Sequence, residues 1–242
     1  MRTWHHRPVT ANLQQPALIL WDIDHTLLAI DGVSRELYEI AFAEVVEQPL
    51  HKMAEMSGRT EQAIVIETLD LNGVSNPESK LDDFYEALAK AADQLRTRMH
   101  TVGRQLPGAV EALAALTDRG AVQTVVTGNI RPLAEAKLEI FDLSEYLDLE
   151  IGGYGSEADT RPPLIRQAWQ RTQRKYGRTF ESDRIAVIGD THRDVAGARE
   201  VGVRAIGVAT GNSTADELIA AHADTVLLDL ADTEAVLRAI YH

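Results

Sequence analysis

Two aspartates and a threonine, Asp22, Asp24 and Thr26, follow a short apolar run from Ala17 to Trp21. The run predicts a buried strand, and paired carboxylates at its end are costly unless a partner compensates their charge. Mg²⁺ bound through oxygen is such a partner, since it usually takes one or two protein carboxylates together with a substrate phosphate. The pattern therefore predicts a metal and nucleophile site at the carboxyl end of a strand, where open α/β sheets place their ligands.

The two aspartates can divide the work of phosphoryl transfer. One carboxylate can attack phosphorus and form an aspartyl-phosphate, while the other protonates the leaving alcohol and then activates water. We assign the first role to Asp22 and the second to Asp24. The alternative is that both residues only shape a turn or cap a helix, as aspartate often does after a strand.

Two further polar clusters follow predicted strands, Thr127-Gly128-Asn129 and Gly189-Asp190. Because the carboxyl ends of parallel strands lie on one edge of a sheet, we expect both clusters to meet the first aspartates. The Thr127 hydroxyl and the amides of Gly128 and Asn129 can bind phosphoryl oxygens, helped by the helix that follows. The alternative is that Thr127 or Asn129 only caps that helix.

Asp190 and Asp194 bring two more carboxylates to this edge. Two unit charges ~4 Å apart interact by about 4 kcal/mol at an effective dielectric constant near 20, so such a cluster needs a bound cation. Asp190 is predicted to be a metal ligand and Asp194 to orient the ligands. Alternatively, these are carboxylates at a helix N-terminus, a contribution of only ~0.3–1 kcal/mol.

A positive side chain should meet the charge that develops on the phosphoryl group. Arg161, directly before a predicted helix, is the preferred candidate. Lys137 and Lys175 are competitors, but both fall inside predicted helices and are expected to face solvent.

The composition narrows the class of protein. The 242 residues carry 24 Lys and Arg against 37 Asp and Glu, a net charge of −13. This argues against nucleic acid or an anionic membrane surface as a partner, because both need a basic face. With no cysteine, thiolate catalysis and Cys-ligated zinc are excluded, and a cytoplasmic location is expected. No signal peptide is evident, and no apolar run approaches the roughly 20 residues of a membrane span.

The pattern of elements predicts how these residues are positioned. Residues 1–16 are predicted to form a flexible tail, and the segment from about Ser34 to His100 has helical periodicity only. Strands and helices alternate from Gly103 onwards, which predicts an α/β fold with a mostly parallel sheet covered by helices.

These residues, in this order, resemble the motifs of the haloacid dehalogenase-like hydrolase superfamily. The resemblance runs from Ala17 to the end of the chain and rests on Asp22-x-Asp24-x-Thr26, Thr127, Arg161 and Gly189-Asp190-x-x-x-Asp194. It implies a Rossmann-like core over residues 17–30 and 104–242, with an inserted helical cap over residues 31–103. It also implies Mg²⁺ held by the Asp22 carboxylate, the Asp24 main-chain carbonyl and the Asp190 carboxylate.

Within the superfamily, Asp24 indicates phosphate esters, because the dehalogenase-type members lack an acid/base aspartate there. The segments VVTGNIRPLAEAKLE and Gly58-Arg59-Thr60 are similar to phosphoglycolate-phosphatase-like proteins. Arg59 is expected to contact the leaving group; the alternative is a solvated surface arginine.

The chain departs from the family pattern at two positions. The third motif usually has lysine where this chain has Arg161, and arginine can still bind phosphate bidentately. The residue between the first two aspartates is commonly glycine and here is His25, which can narrow the site or contact the leaving group, or turn away from it.

The expected function is therefore a Mg²⁺-dependent phosphatase for a small phosphorylated metabolite, phosphoglycolate or sugar-phosphate-like, acting as a monomer or homodimer. A phosphomutase of the same superfamily and a non-catalytic protein that binds a phosphorylated ligand are the alternatives.

Overall fold

A computed structural model describes residues 17–30 and 32–242, so the tail predicted over residues 1–16 lies outside the described residues. Five strands form one parallel sheet in the order β4-β1-β5-β6-β7. Their bounds are Leu18–Trp21 (β1), Val122–Val125 (β4), Ile185–Gly189 (β5), Arg204–Val208 (β6) and Thr225–Leu227 (β7). The α/β fold with a parallel sheet is confirmed.

The first strand lies between β4 and β5. Leu18 pairs with Val122 on one side and with Ile185 on the other, and all four residues of β1 are buried. A strand buried on both faces is continuously apolar, which is why the sequence of β1 shows no alternation. The aspartates that follow β1 therefore emerge beside the ends of β4 and β5.

Helices cover the sheet between consecutive strands, as the alternating pattern predicts. Their bounds are Ala109–Asp118 (α5), Arg131–Ile140 (α6), Arg161–Tyr176 (α7), His192–Val201 (α8), Ala215–Ala220 (α9) and Thr233–Tyr241 (α10). The predicted and observed ends differ by a residue or two, the scatter usual for frayed helix ends. Helix α7, for example, begins at Arg161 itself, whereas the sequence analysis places this residue directly before the helix; prolines occupy its first turn.

Before α5, the chain forms a wholly helical segment. It contains Val33–Val46 (α1), Glu61–Leu71 (α2), a 3₁₀ turn at Pro77–Lys80, Leu81–Gln94 (α3) and Arg96–Val102 (α4). The sequence missed a short antiparallel pair that flanks the segment, Leu28–Ala29 (β2) with Arg104–Gln105 (β3). In this pair, the strand that enters the helical segment is hydrogen-bonded to the strand that leaves it, close to the predicted cap boundaries at residues 31 and 103. The division into core and cap stays a prediction.

The apolar faces of the helical segment explain its packing. Phe84 and Leu88 of α3 are buried at the spacing of one helix face, and the Phe84 ring lies 5.5 Å from the Tyr38 ring of α1. Helices α3 and α4 also contact α6, so the segment lies over the carboxyl edge of the sheet. Across the described part of the chain, no helix combines the length and apolarity needed to cross a membrane.

Candidate active site

One cavity of about 300 Å³ lies between the sheet edge and the helical segment. Its walls include the residues that the sequence predicts to act on a phosphoryl group: Asp22, Asp24, His25, Arg59, Thr127, Gly128, Asn129, Arg161 and Asp190. Residues more than 100 positions apart in the chain thus meet because three parallel strands end at one edge.

Arg161 holds Asp22 in place. Its Nη2 donates to Asp22 Oδ1 at 2.9 Å, its Nη1 donates to the Val126 carbonyl at 2.7 Å, and its Nε lies 3.3 Å from Asp194 Oδ1. Both Arg161 and Asp22 are buried. Burial raises the pKa of Asp22 to about 7, repulsion from Asp194 and Asp24 adds to the rise, and Arg161 opposes it.

Lys137 holds Asp24, and the expectation that this lysine faces solvent is wrong. Its Nζ lies 2.8 Å from both Asp24 carboxylate oxygens and 2.7 Å from Asn129 Oδ1, and the residue is 2% exposed. The sequence held the signal, because Lys137 shares the i, i+3 and i+4 spacing of buried Leu133, Ala134 and Leu138. Lys175, in contrast, is exposed and pairs with Asp148 and Glu150.

The surroundings of Asp24 favour its charged form. Burial on its own would raise its pKa, but the charge and hydrogen bonds of Lys137, with a 2.7 Å hydrogen bond from Asn129 Nδ2, lower the pKa below its ordinary value. Asp22 and Asp24 therefore have opposite pKa shifts: the protein groups around them favour the protonated form of Asp22 and the charged form of Asp24.

Asp22, Asp190 and Asp194 form a buried cluster with ligand oxygens within 4.8 Å of one another. Burial raises the pKa of Asp190, and repulsion from Asp22 and Asp194 raises it further. Arg161 supplies one positive charge to the cluster, so negative charge remains uncompensated when all three carboxyl groups are ionised. Hard oxygen donors with excess negative charge fit Mg²⁺.

Asp194 is committed to local bonds. Its Oδ2 accepts from the Thr191 hydroxyl at 2.6 Å and from the Thr191 amide at 3.1 Å, and the Thr191 hydroxyl in turn accepts from the Asp194 amide. This capping box starts α8. The other carboxylate oxygen of Asp194 lies beside Arg161 Nε. One side chain thus both caps α8 and contacts the arginine that binds Asp22.

The Thr127-Gly128-Asn129 loop is organised by its own bonds. Thr127 Oγ1 accepts from the Asn129 amide at 3.2 Å and from Asn129 Nδ2 at 2.7 Å. Helix α6 begins after Ile130 without a side-chain cap, so neither Thr127 nor Asn129 caps it. The Asn129 amide is thus bonded within the loop and would have to leave Thr127 Oγ1 to reach a ligand in the cavity.

The start of α2 is pressed against this loop. The Glu61 amide donates to the Gly128 carbonyl at 2.8 Å, and the Gln62 amide donates to the Gly155 carbonyl at 2.9 Å. A Cβ at Gly155 would lie 1.7 Å from the Gly128 carbonyl oxygen, so only glycine permits this approach. The helical segment is therefore docked directly on the loop that lines the cavity.

Arg59 and His25 both line the cavity. Arg59 is partly buried and pairs with Glu67 at 2.5 Å, so it is not a free surface arginine; its contact with a leaving group stays a prediction. His25 has a φ of 60°, in the left-handed region. Glycine adopts this conformation without strain, which explains why glycine is common here.

Among the cavity residues that the sequence analysis did not single out are Glu61 and Tyr38. Glu61 is buried at the first position of α2 and accepts a 2.9 Å hydrogen bond from the Tyr38 hydroxyl. Burial raises the pKa of Glu61 to about 7, although Lys137 and Tyr38 oppose the rise. In the sequence Glu61 is an ordinary acidic residue in a first helical turn, and nothing marks it as buried.

The family profile of haloacid dehalogenase-like hydrolases matches residues 19–199. The chain belongs to this hydrolase family.

Among known proteins, the chain is similar to a phosphoglycolate phosphatase of Agrobacterium fabrum, with 27% identity over 88% of this chain and 89% of that protein. It is also 32% identical to a protein named probable phosphatase IndB of Dickeya dadantii, over 52% of each chain. The crystal structure of a hydrolase from Pseudomonas syringae superposes with a TM-score of 0.68 at 21% identity, over 93% of this chain and 100% of that one. This structural likeness supports the fold.

Proposed function

We propose that this protein is a phosphatase that hydrolyses a small phosphate monoester through an aspartyl-phosphate. The single observation that carries the proposal is that Asp22 and Asp24 face one cavity, each held by its own buried cation. The similarity to proteins named as phosphatases supports it.

In the first step, Asp22 acts in its ionised form, which the charge of Arg161 favours, and one of its carboxylate oxygens attacks phosphorus as the bond from phosphorus to the leaving oxygen breaks. Asp24 gives its proton to that leaving oxygen, which departs as an alcohol. The incoming phosphate charge favours the protonated form of Asp24 and so opposes the effect of Lys137. Thr127, the amides of Gly128 and Asn129, and Arg161 hold the phosphoryl oxygens.

In the second step, water attacks the phosphorus of the aspartyl-phosphate. Asp24 takes a proton from the water, the bond between Asp22 and phosphorus breaks, and inorganic phosphate is released. Lys137 stabilises the carboxylate form of Asp24, which is the form that accepts this proton. Closure of the helical segment over a bound ester would exclude bulk water.

The carboxylates of Asp22 and Asp190 and the main-chain carbonyl of Asp24 would hold Mg²⁺. When bound, the ion neutralises phosphoryl charge and the charge of the aspartate cluster. Asp194, held by Thr191 and Arg161, would orient this set.

The test is phosphate release from a panel of small phosphate esters, with Mg²⁺ or EDTA, for the wild type, Asp22→Asn and Asp183→Asn. Asp183 is exposed and does not line the cavity, so its variant is a matched control. We expect Mg²⁺-dependent release that Asp22→Asn abolishes and Asp183→Asn retains.

Three other outcomes would reject the proposal. Release that survives in purified Asp22→Asn would show that Asp22 is not the nucleophile. An isomerised sugar phosphate without free phosphate would identify a phosphomutase. Tight binding of a phosphate ester without turnover would identify a non-catalytic binding protein.

A further inference from the structure

The wall of the cavity opposite the aspartate cluster is formed by the helical segment. Polar groups of this wall come from Tyr38 of α1 and from Arg59 and Glu61 at the start of α2. The Tyr38 hydroxyl donates to Glu61, and Arg59 donates to a carbonyl of α2. Leu37, Met56 and Ile64 make the adjoining part apolar. A phosphoryl group bound at Asp22 would direct its leaving group towards this wall, because the wall closes the opposite side of the cavity.

The cations that line the cavity within the described chain already have carboxylate partners. Arg161 pairs with Asp22, and Arg59 pairs with Glu67 while donating to two carbonyls of its own segment. Lys137 uses each of its three ammonium donors on Asp24 and Asn129. A carboxylate on the leaving group would therefore find no uncommitted cation.

Glu61 would oppose such a carboxylate directly. It is 3% exposed, so little water screens its charge, and Tyr38 fixes one of its oxygens at 2.9 Å. In its ionised form, which predominates above its pKa of about 7, the Glu61 carboxyl group offers further acceptor positions to a hydroxyl group and repels a second carboxylate. A leaving group with an ammonium would in turn meet Lys137, whose charge acts on Glu61.

We infer that Glu61 selects uncharged, hydroxyl-bearing leaving groups, as in polyol or sugar phosphates, and excludes leaving groups that carry a carboxylate, such as glycolate. This inference rests on the proposed phosphatase function. Glu61 acts on the leaving group and takes no part in bond making, so its effect falls on substrate preference.

The test compares kcat/KM for glycerol 3-phosphate, phosphoglycolate and p-nitrophenyl phosphate. The variants are Glu61→Gln, Tyr38→Phe as a milder change in the same contact, and Glu86→Gln as an exposed carboxylate control on α3. We expect the wild type to favour glycerol 3-phosphate over phosphoglycolate by at least about 10-fold. Glu61→Gln should reduce this ratio about 5-fold or more, mainly by lowering KM for phosphoglycolate, and Glu86→Gln should keep the wild-type ratio.

The outcomes distinguish a failure of the role inferred for Glu61 from a failure of the proposed phosphatase function. Hydrolysis of p-nitrophenyl phosphate with phosphoglycolate as the better natural ester would overturn the role of Glu61 and leave the phosphatase function intact. An unchanged ratio in both Glu61→Gln and Tyr38→Phe would do the same. No hydrolysis of any ester, by folded protein with Mg²⁺, would overturn the phosphatase function and the inference with it.

Discussion

The ammonium of Lys137 lies 2.8 Å from both carboxylate oxygens of Asp24, although the two residues are 113 positions apart. The third ammonium donor binds Asn129 Oδ1 at 2.7 Å, and Asn129 Nδ2 binds Asp24 in turn. The proposed acid/base group is thus fixed by a lysine of α6 and an amide of the loop before it. Its position and its charge are set by the same contacts.

Replacing Lys137 by methionine should raise the pKa of Asp24, because burial then acts without its main opposing charge. The lowered pKa of Asp24 stabilises the fold above the ordinary carboxyl pKa and loses this effect as pH falls through the folded-state pKa. The free energy of unfolding of Lys137→Met should therefore be lower than that of the wild type by about 1–3 kcal/mol at pH 7. The loss is smaller than for a fully buried ion pair because the Asp24 side chain is 32% exposed. The loss should be smaller near pH 4.

Urea unfolding at both pH values measures this difference, and kcat should fall by roughly 10²-fold or more. Lys175→Met is the matched control, because Lys175 pairs with two carboxylates at the surface and its side chain is 42% exposed. The control should change stability by under ~1 kcal/mol. Equal losses in the two variants would contradict the role assigned to Lys137.

How far the sequence predicts this site depends on the kind of residue. The aspartates and Thr127 follow apolar strands, so the parallel sheet fixes where they meet, and Arg161 begins a helix at the same edge. The prediction for Lys137 is wrong because a lysine inside a predicted helix was expected to face solvent, although its spacing places it on a buried face. Glu61 could not be found, since its burial depends on how the helical segment docks on Gly128 and Gly155.

Arg161→Met should destabilise the protein, because it leaves Asp22 and Asp194 buried without their cation. Removing one partner of a buried pair costs about 3–5 kcal/mol. Arg161→Lys should lose less stability than Arg161→Met, since it keeps the charge, but one ammonium cannot reproduce the planar guanidinium contacts to Asp22, Val126 and Asp194. Arg161→Met should lose phosphate release, whereas Arg161→Lys, which has the residue usual in the family's third motif, should keep part of it.

Thermal unfolding with and without Mg²⁺ checks this assignment. The ion should restore part of the stability of Arg161→Met, because it supplies positive charge to the same cluster. Arg166→Met, an exposed arginine on α7 that pairs with Glu200, should change little. A large loss in Arg166→Met, or none in Arg161→Met, would show that the buried contacts are not what stabilises the cluster.

Magnesium affinity should increase with pH. The pKa values of Asp22 and Asp190 are raised by burial, so these groups hold protons near neutral pH that must leave when a cation binds. At 100 times its Kd, Mg²⁺ should stabilise the fold by about 2.7 kcal/mol. Calorimetric titration in buffers of different ionisation enthalpy would measure both the affinity and the released protons.

Asp190→Asn should abolish this magnesium effect, and the exposed control Asp183→Asn should retain it. An affinity that does not change between about pH 6 and pH 8 would argue against the cluster of Asp22, Asp190 and Asp194 as the binding site.

Gly155→Ala should separate the start of α2 from the Thr127-Gly128-Asn129 loop. The new Cβ would lie 1.7 Å from the Gly128 carbonyl oxygen and 2.8 Å from the Glu61 amide nitrogen, so main-chain atoms have to move. Overpacking of this kind costs roughly 1–3 kcal/mol. Phosphate release at 25 °C should fall by more than the loss of folded protein explains, because the movement shifts the cavity wall that carries Glu61.

Gly177→Ala separates a general cost of replacing glycine from this effect. Gly177 has a φ of 63° at the end of α7, with nothing within 4 Å of an added Cβ. Its substitution should cost about 1 kcal/mol through backbone strain and leave kcat/KM near the wild-type value. If Gly155→Ala also kept wild-type kcat/KM, the docking of α2 on the loop would matter for stability alone, and closure of the cavity would not depend on this glycine.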